Sequence, residues 1–480
     1  MKLNFNIEKF YIKYRHAFLA ALLSLLFMYG FELTHFTISI DEDSFDNFKH
    51  TVELGRWGHA FLRLYFLPEP YIPFYTMMIS ILILSASACI TSEYIFKNKL
   101  QSITFSILYA SIPALSYQLQ FQNQADTFSI AILIATCMAI ISEKKSLMKS
   151  VLFVALGVFV ISIYQTILLL PLAITLCKNL VDTESSKKTI LTGMLDLARI
   201  FILMLLSYLA YHFITKEIQD ILHIPQSSYF NNVISWGKVP TSDALRNVIT
   251  YLWWRLSGNS HYGLGMYVIC ILPVILISYQ SFKERSAYRL ALVFIVYLYP
   301  FSLDVFTGSW LPARTLTQLP ICFATLTTIL LFRIGNAPAI VSSLIILSIG
   351  SSSSNKLFYA DYVSNKQDDA LSNQIIGSLL SRYPDFNAKI NKVFIYGNDQ
   401  IRNDWMPYNS ENFGVSFFQY GDSRIINYYN MNSYLKLTTV DFGVILKNQK
   451  KIESLPCWPK NNSILKIDSN YIIKYCSKEF

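Results

Sequence analysis

Long apolar segments that carry almost no charge recur along most of this 480-residue chain. A helix needs about 20 consecutive apolar residues to cross a hydrocarbon core about 30 Å thick. Because lipid offers no hydrogen-bonding partner, every backbone amide in such a segment must bond within its own helix. The chain is 53% hydrophobic and 15% charged, whereas soluble domains are about 25% charged. These features predict a mainly α, polytopic membrane helix bundle.

About nine full membrane spans are predicted from the uncharged segments. They cover residues 17–36, 71–91, 102–117, 127–142, 190–214, 263–281, 287–303, 316–333 and 336–352. Residues 151–177 are predicted to form a broken or re-entrant helix pair, because they lie between two basic loops that should share a side and are interrupted at Tyr164-Gln165-Thr166. Half-spans require a covering of protein or a water-filled cavity. A single long helix with one misplaced loop is the alternative.

Four short basic loops indicate how these helices are oriented, since membrane proteins retain Lys and Arg on the cytoplasmic side. The loops contain Lys97 and Lys99; Lys144, Lys145 and Lys149; Lys178, Lys187 and Lys188; and Lys283, Arg285 and Arg289. By contrast, the intervening loop 118–126 contains no Lys or Arg. We therefore expect a cytoplasmic N-terminus and a C-terminus on the opposite side. The net charge of +9 is typical of this topology, and nucleic acid is not an expected partner.

Two domains are predicted. Residues 1–352 form the transmembrane bundle, which carries external loops at 37–70 and 215–262. Residues 353–480 are polar and form a C-terminal domain outside the membrane, long enough for a core of its own.

The C-terminal domain is predicted to be a small α/β domain. Its periodicity changes from helix-like at Asp369–Tyr383 to strand-like at Lys392–Tyr396. It also contains Cys457 and Cys476, which would form a disulfide if the domain lies in an oxidising compartment. The other five cysteines fall in or beside apolar segments, where they are expected to be small buried hydrophobic residues.

An acidic cluster directly follows the first predicted span. It consists of Asp41, Glu42, Asp43 and Asp46, and the cost of burying charge in lipid places it at or beyond the membrane interface. A carboxylate there would be suited to take a proton from an acceptor hydroxyl as a general base. Helix capping, which favours acids at a helix N-terminus, explains one or two of the four. The rest of the loop has an apolar stripe typical of an amphipathic surface helix, interrupted at Gly55-Arg56-Trp57-Gly58.

Arginines and aromatic residues lie close to this acidic cluster. Arg56 and Arg63 are candidates for binding a phosphate leaving group, because guanidinium groups hold phosphate oxygens bidentately. Arg314, on a later external loop, is a third candidate, with interfacial snorkelling as its alternative. The candidate contacts for a sugar or acceptor are Trp57, His59 and Trp254, the last of which would also suit an interfacial aromatic belt. Arg255 and Lys238 are further candidate cations on external loops, and Asp126 and Asp304 are other carboxylates at outer span ends.

Several short motifs resemble the phage-type serotype-converting O-antigen glucosyltransferases and their chromosomal relatives. The motifs are Phe36–Asp43, Leu54–His59 (Leu-Gly-Arg-Trp-Gly-His), Pro68-Glu-Pro70, Ser162-Ile-Tyr-Gln165, Ser416-Phe-Phe418 and Gly421-Asp-Ser-Arg424. The likeness covers the topology from end to end, and its specific motifs are concentrated in residues 36–70.

This resemblance implies a membrane glycosyltransferase with a GT-C-like fold in the bacterial inner membrane. Such enzymes take a sugar, here expected to be glucose, from undecaprenyl phosphate on the periplasmic face and add it to the O-antigen of lipopolysaccharide with inversion. They depend on a flippase and on a synthase for the donor lipid. Carried over to this chain, the resemblance makes Asp43 the favoured base, with Asp46 in support.

No obligatory cofactor is expected. The spacing Asp41-x-Asp43 matches a metal-binding pair of some glycosyltransferases, so a divalent metal there is the alternative. However, a lipid-phosphate donor has one charged phosphate rather than a diphosphate, and arginine alone would suffice to neutralise it.

Three other functions are compatible with a polytopic chain. A transporter or flippase for a lipid-linked saccharide predicts charged residues midway through several spans, and here Asp196 and Arg199 are the main examples. An O-antigen polymerase or ligase predicts a larger basic external loop than 215–262. A membrane anchor for the tail domain would leave the cluster at Asp41–Asp46 unexplained.

Overall fold

The computed structural model describes residues 7–42, 48–185, 190–399 and 401–476. The chain divides into two compact units. The first contains Met1–Thr34 and Asn47–Asn355, and the second contains His35–Asp46 and Lys356–Phe480. Two candidate acids, Asp43 and Asp46, lie outside the described residues.

The first unit is built from α-helices joined by short connections. They are α1 (Ile7–Thr34), α2 (Phe48–Glu53), α3 (Trp57–Tyr65), α4 (Pro73–Ile95), α5 (Lys99–Ser111), α6 (Ser116–Leu119), α7 (Gln122–Ile141), α8 (Leu147–Ile163), α9 (Leu170–Ser185), α10 (Ile190–Ile221), α11 (Tyr229–Val233), α12 (Thr241–Leu256), α13 (Ile271–Lys283), α14 (Ala287–Leu298), α15 (Ser302–Thr307) and α16 (Leu319–Phe332). Short 3-10 helices occupy Gln165–Leu169, Leu264–Cys270, Tyr299–Phe301 and Ala313–Thr315. The next helix, α17 (Asn336–Arg382), contributes residues to both units.

Within the described residues, eight helical segments are long and apolar enough to cross a membrane. They are Lys13–Thr34, Pro73–Ile95, Gln122–Ile141, Gln165–Thr183, Ile190–Ile221, Leu264–Lys283, Ala287–Thr307 and Asn336–Arg382. Two shorter apolar helices, Leu147–Ile163 and Leu319–Phe332, accompany them. The prediction of a mainly α, polytopic membrane protein is confirmed.

The region predicted as a re-entrant pair at 151–177 forms longer helices than expected. The chain breaks at Tyr164, whose φ of −154° and ψ of 113° are extended, and α8 and α9 lie on either side. The helices are longer because Lys149 and Lys178, which the sequence predicts to lie in loops, are helical. Lys149 lies in the first turn of α8, and Lys178 lies in α9 and donates to the Tyr94 carbonyl. The apolar segments of 17 and 19 residues on the two sides of Tyr164 fall within the range of about 17–25 residues used by spanning helices.

Small polar residues allow the apolar helices of the first unit to pack closely. Buried hydroxyls of Ser80, Ser85, Ser106 and Ser129 each donate to the carbonyl four residues earlier, so they leave no unsatisfied donor against a neighbour. Small residues at helix contacts are a common feature of membrane bundles. The central helix α4 packs against α1, α5 and α7.

The second unit contains a four-stranded sheet in the order β2-β1-β4-β3. Its strands are β1 (Lys392–Tyr396), β2 (Thr438–Thr439), β3 (Ile464–Ile467) and β4 (Asn470–Lys474). β1 is parallel to β2 and β4, with Phe394 opposite Ile472, and β3 is antiparallel to β4. The remaining helices are α18 (Arg424–Asn432), α19 (Phe442–Lys447) and α20 (Gln449–Glu453).

Both faces of the sheet are buried. Side chains alternate between the two faces along its central strands, and each face packs into a separate core. Val393 and Ile395 pack into one core, and Phe394 packs into the other. Cys457 and Cys476 are joined in a disulfide with a Cα–Cα distance of 5.6 Å, which is ordinary for a disulfide.

The start of the predicted external loop 37–70 belongs to the core of the second unit. Ile38 and Ile40 are buried there together with Ile375 of α17. The side chain of Asn365 bonds the backbone of Ile38 twice, by accepting from its N–H at 2.9 Å and donating to its carbonyl at 3.1 Å. The second unit therefore combines two separate parts of the chain, a feature that the boundary at residue 353 did not include.

Candidate functional site

The guanidinium group of Arg56 joins three segments of the first unit. Arg56 is the N-cap residue of α3. Its Nη1 donates to the Gln124 side-chain oxygen at 3.1 Å and its Nε to that of Gln165 at 3.4 Å, and the group lies 4.8 Å from the centre of the Tyr164 ring. The motifs at Leu54–His59 and Ser162–Gln165 are therefore in direct contact, although about a hundred residues separate them.

Backbone geometry at Gly55 holds this arrangement in place. Gly55 has φ +73°, in the left-handed region that suits glycine, and its carbonyl accepts from the Tyr211 hydroxyl at 3.0 Å. The Gln165 amide nitrogen donates to the Leu54 carbonyl at 2.9 Å and to the Tyr211 hydroxyl at 3.3 Å. The Gln165 amide oxygen thus accepts from Arg56, and its amide nitrogen donates to the turn before Arg56.

A close approach between α3 and α8 requires a glycine at position 58. A Cβ on Gly58 would lie 2.1 Å from the Ser162 hydroxyl and 3.2 Å from the Ser162 backbone carbon. A contact of 2.1 Å does not occur for a real Cβ and one of 3.2 Å is tight, so a larger residue fits only if the Ser162 hydroxyl moves and the backbone of α8 gives by a few tenths of an ångström.

Arg56 and Arg314 place two positive charges close together. Arg314 lies in the 3-10 helix Ala313–Thr315, and its guanidinium is 4.9 Å from the centre of the Phe121 ring. Burial lowers the pKa of Arg56, the nearby Tyr164 opposes this, and the charge of Arg314 lowers the pKa further. Within the described part of the chain no carboxylate forms an ion pair with Arg56. An anion that contacts both arginines would relieve their repulsion.

Arg63 has protein partners on each guanidinium nitrogen. It forms a buried ion pair with Asp126 at 2.6 Å, with 5% and 0% of the two side chains exposed. Its Nη2 and Nε also donate to the Asn123 carbonyl at 2.6 and 3.2 Å, and its Nη1 donates to the Pro68 carbonyl at 3.2 Å. These contacts connect α3 to α7 and give Arg63 a structural task, so they do not support the phosphate role predicted for it.

The two other candidates in this segment make packing contacts. His59 is buried, and its Nδ1 lies 2.8 Å from the Thr127 hydroxyl. Burial lowers the pKa of His59 to about 3, with the charges of Arg63 and Arg56 acting in the same direction, so the imidazole is neutral. Trp57 donates from its indole nitrogen to the Thr215 hydroxyl at 3.0 Å.

Only two of the four candidate acids are described, and both belong to the second unit. Asp41 is exposed. Glu42 is buried, and its carboxylate accepts from the Ser39 N–H at 3.0 Å within a tight turn. Among the described residues, no group of three or more His, Cys, Asp or Glu is placed to hold a metal ion. The role of the acidic cluster remains a prediction.

Trp254 lies in a second cluster of the first unit, around Arg255. The buried Arg255 guanidinium donates to both carboxylate oxygens of Asp304 at 2.8 and 3.1 Å and to the Leu311 carbonyl at 2.6 Å. It also lies 4.4 Å from the Trp310 ring, which contacts Trp254 with centroids 5.7 Å apart. This ion pair holds the connections around α12 and α15 in place.

Sequence reasoning missed the neutral amides of this site. Gln124 and Gln165 hold Arg56, yet an uncharged amide gives no signal of topology or chemistry. A usable signal was the alternating series Gln118, Gln120, Gln122 and Gln124, in the segment that lacks Lys and Arg. Four glutamines at the end of an apolar span would need partners there.

Comparison with known proteins identifies the family. The model of the family described as "Glucosyl transferase GtrII" matches residues 30–332, which is more than half of the chain and includes Arg56, Gln165 and Arg314. Curated proteins and solved structures gave no significant match. The match confirms the resemblance to the O-antigen glucosyltransferases. The chain thus belongs to the GtrII glucosyl transferase family, and it is a multi-pass membrane glucosyltransferase of O-antigen modification.

Proposed function

We propose that this protein transfers glucose from undecaprenyl phosphate to the O-antigen of lipopolysaccharide, on the periplasmic face of the bacterial inner membrane. The observation that carries this proposal is the pair of neighbouring arginines, Arg56 and Arg314, of which Arg56 has only neutral hydrogen-bonding partners among the described residues. Such a pair is suited to one phosphate group, which is the only charged group of this donor.

The position of Arg56 also fits a donor that arrives through the membrane. Arg56 precedes α3, and the apolar side chains of Phe61, Leu64 and Tyr65 on that helix are exposed in the first unit. Exposed apolar side chains on a short amphipathic helix are typical of contact with lipid. A polyprenyl chain held along this face would place its phosphate near the start of the helix, where free backbone N–H groups favour an anion.

The proposed reaction requires one proton acceptor and one anion site. A carboxylate takes the proton from the acceptor hydroxyl, and that oxygen attacks the anomeric carbon of glucose from the side opposite the phosphate. The bond between the anomeric carbon and the phosphate oxygen breaks, and its electron pair remains on the phosphate. Arg56 and Arg314 stabilise the negative charge that develops on it. Attack from the opposite side inverts the anomeric configuration.

Asp43 is the proposed base, with Asp46 in support. This assignment rests on the acidic cluster and on the family resemblance. No cofactor is required, because the two arginines supply the positive charge.

The periplasmic face is supported by the disulfide between Cys457 and Cys476 in the second unit. Disulfides persist in the periplasm and are rare in the cytosol. Since polyprenyl-linked glucose is made from a cytoplasmic precursor, the protein would depend on a donor-lipid synthase and on a flippase. The bacterial inner membrane is the compartment where these partners meet.

The test is glucosylation of O-antigen in cells that supply the synthase and the flippase. Mass spectrometry of the O-antigen should show one added hexose per modified repeat with the wild-type protein. Asp43→Asn should reduce this by about a hundredfold or more, since general bases contribute roughly 10²–10⁴-fold, while Asp243→Asn, a change of an exposed acid on α12, should have no effect. Glucosylation that persists without the donor-lipid synthase would contradict the proposed donor, and full activity of Asp43→Asn would contradict the proposed base.

A further inference from the structure

Three buried glutamines of the first unit have amide atoms that the described protein leaves without a hydrogen-bond partner. In Gln118 these are both the amide oxygen and the amide nitrogen, and in Gln122 and Gln318 they are the amide oxygens. All three side chains are almost completely buried, with at most 1% of each residue exposed. Buried polar atoms are nearly always paired, so these unpaired amide atoms require an explanation.

The hydrogen-bond partners of Gln122 and Gln318 determine which amide atom of each side chain lacks a partner. Gln122 donates its amide nitrogen to the carboxylate of Glu32, and Gln318 donates its amide nitrogen to the Thr166 carbonyl at 3.0 Å. Carboxylates and carbonyls only accept hydrogen bonds. The amide orientation therefore cannot be reversed, and each of these two side chains presents an oxygen that needs a donor.

The three glutamines lie on the segments that hold Arg56 and Arg314. Gln118 is in α6, which packs against α7 and against the 3-10 helix that contains Arg314. Gln122 begins α7, two residues before the Gln124 that bonds Arg56. Gln318 bonds the 3-10 helix Gln165–Leu169 through Thr166, next to the Gln165 that also bonds Arg56.

The chemistry of the three unpaired amide oxygens excludes the phosphate as their ligand. A phosphodiester offers only acceptor oxygens, whereas three of the four unpaired amide atoms are acceptors that require a donor. A hexose has several hydroxyl groups, each of which both donates and accepts. The unpaired amide atoms of the three glutamines are thus matched to a neutral, hydroxyl-rich group.

We propose that the side-chain amides of Gln118, Gln122 and Gln318 bind the hydroxyl groups of the donor's glucosyl ring, beside the phosphate held by Arg56 and Arg314. This inference rests on the proposed function, and it assigns the residues that select the sugar. A site that hydrogen-bonds sugar hydroxyls discriminates strongly against a ligand that lacks them, because the buried amides are then left unpaired.

The experiment measures binding of two lipids to the purified full-length protein in nanodiscs. The probes are undecaprenyl phosphate glucose and undecaprenyl phosphate. Gln118→Met replaces the amide with an apolar group of similar size, and it should weaken binding of the glucosylated lipid about tenfold or more while leaving binding of undecaprenyl phosphate unchanged. Gln118→Asn, which retains a shorter amide, should show an intermediate loss. Without lipid, Gln118→Met should unfold at the same temperature as the wild type or higher, because it removes an unpaired amide.

Gln219→Met is the matched control. Gln219 is also a buried glutamine, but its amide is committed to the carbonyls of Val52 and Glu53 at 2.8 and 3.3 Å. The same substitution there should lower the unfolding temperature and affect both lipids equally.

The outcomes separate this inference from the proposed function. If Gln118→Met lowers the unfolding temperature and leaves binding of both lipids unchanged, or weakens both equally, the amide has a structural role and the inference is overturned alone. If the wild-type protein binds neither lipid, the proposed donor is wrong and the inference falls with it.

Discussion

Arg56 and Arg63 carry the same charge on the same short segment, yet their surroundings are opposite. Each guanidinium nitrogen of Arg63 donates to a protein oxygen, and one of these oxygens belongs to the buried carboxylate of Asp126. The hydrogen-bonding partners of Arg56 among the described residues are neutral amides, and the charge of another arginine, Arg314, acts on it. The first arrangement stabilises the protein, whereas the second is suited to an anion.

We predict that Arg56→Gln and Arg63→Gln have different effects. Arg56→Gln leaves no carboxylate without its ion-pair partner and removes the repulsion between Arg56 and Arg314, so the free energy of unfolding should change by about 1 kcal/mol or less. Glucosyl transfer should fall by about 10²–10³-fold. Arg63→Gln leaves Asp126 as an unpaired buried charge and should cost about 3–5 kcal/mol of stability. Thermal unfolding in detergent and O-antigen glucosylation measure the two effects. Equal loss of stability in both variants would contradict the distinction.

His59 provides a prediction of pH dependence. Its folded pKa of about 3 lies below the ordinary value of 6.5, so between these values the unfolded chain binds a proton that the folded protein does not. The stability contributed by His59 is present above pH 6.5 and is lost as the pH falls toward 3. At pH 5.5 the loss should be about 1 kcal/mol. Unfolding measured against pH should show a smaller acid-side decline for His59→Gln, and identical profiles would rule out this contribution.

The sequence predicts Arg56, Arg63 and Arg314 alike as phosphate ligands, because guanidinium groups on external loops are suited to phosphate oxygens. It could not distinguish Arg63 from Arg56, because Asp126 is 63 positions away along the chain and the two meet only when α3 packs against α7. The glutamines that surround Arg56 were missed because neutral amides have no characteristic spacing.

At the scale of helices, the contact of α3 with α8 aligns the site. Gly58 of α3 lies against Ser162 of α8. Arg56 lies two residues before Gly58, and Gln165 lies three residues after Ser162. Arg56 donates a hydrogen bond to Gln165. Any displacement of one helix from the other therefore separates this pair.

Gly58→Ala should lower stability by about 1–3 kcal/mol, the usual range for a side chain forced into a packed contact, and should lower glucosyl transfer as well. Adding Ser162→Ala removes the hydroxyl that the new methyl group meets at 2.1 Å, although the Ser162 backbone remains at 3.2 Å. The double variant should thus recover part of the loss. Denaturant unfolding of the single and double variants measures this coupling, and independent, additive effects would show that the two positions do not interact.

Most helix bounds followed from the sequence to within about ten residues, but the last span, predicted as 336–352, is part of α17, which continues to Arg382. The helices around 151–177 extend beyond the predicted bounds because Lys149 and Lys178 lie in helices rather than in loops. A long side chain lets the charge of a helical lysine reach a polar partner. The burial of Ile38 and Ile40 in the second unit could not be foreseen, since two apolar residues in a polar loop do not reveal which core they join.

At the scale of the whole molecule, the connections that carry basic residues bear on which side of the membrane each connection lies. If α5 and the two shorter helices α8 and α16 each cross the membrane once, together with the eight longer segments, the connections with Lys97, Lys144, Arg285 and Arg333 share one side. Arg56, Tyr164 and Arg314 then share the opposite side. This is the orientation that the positive residues predict.

Labelling of single introduced cysteines tests this orientation in the full-length protein. Tyr434→Cys, at a position 94% exposed in the second unit, should react with a membrane-impermeant maleimide on intact spheroplasts. Lys144→Cys, also exposed, should react only after the membrane is permeabilised. The wild-type chain serves as the background, because Cys457 and Cys476 are joined and four of the other five cysteines are buried. The reverse labelling pattern would invert the topology.

The proximity of Arg56 and Arg314 also affects how the protein completes a catalytic cycle. On the proposed reaction, the loaded carrier is a phosphodiester with one negative charge, whereas the spent carrier is a monoester with a charge of about −1.5 to −2 at pH 7. Two guanidinium groups attract the spent carrier more strongly. Release of this product would then limit turnover, and accumulation of free undecaprenyl phosphate in the membrane would slow the modification of O-antigen.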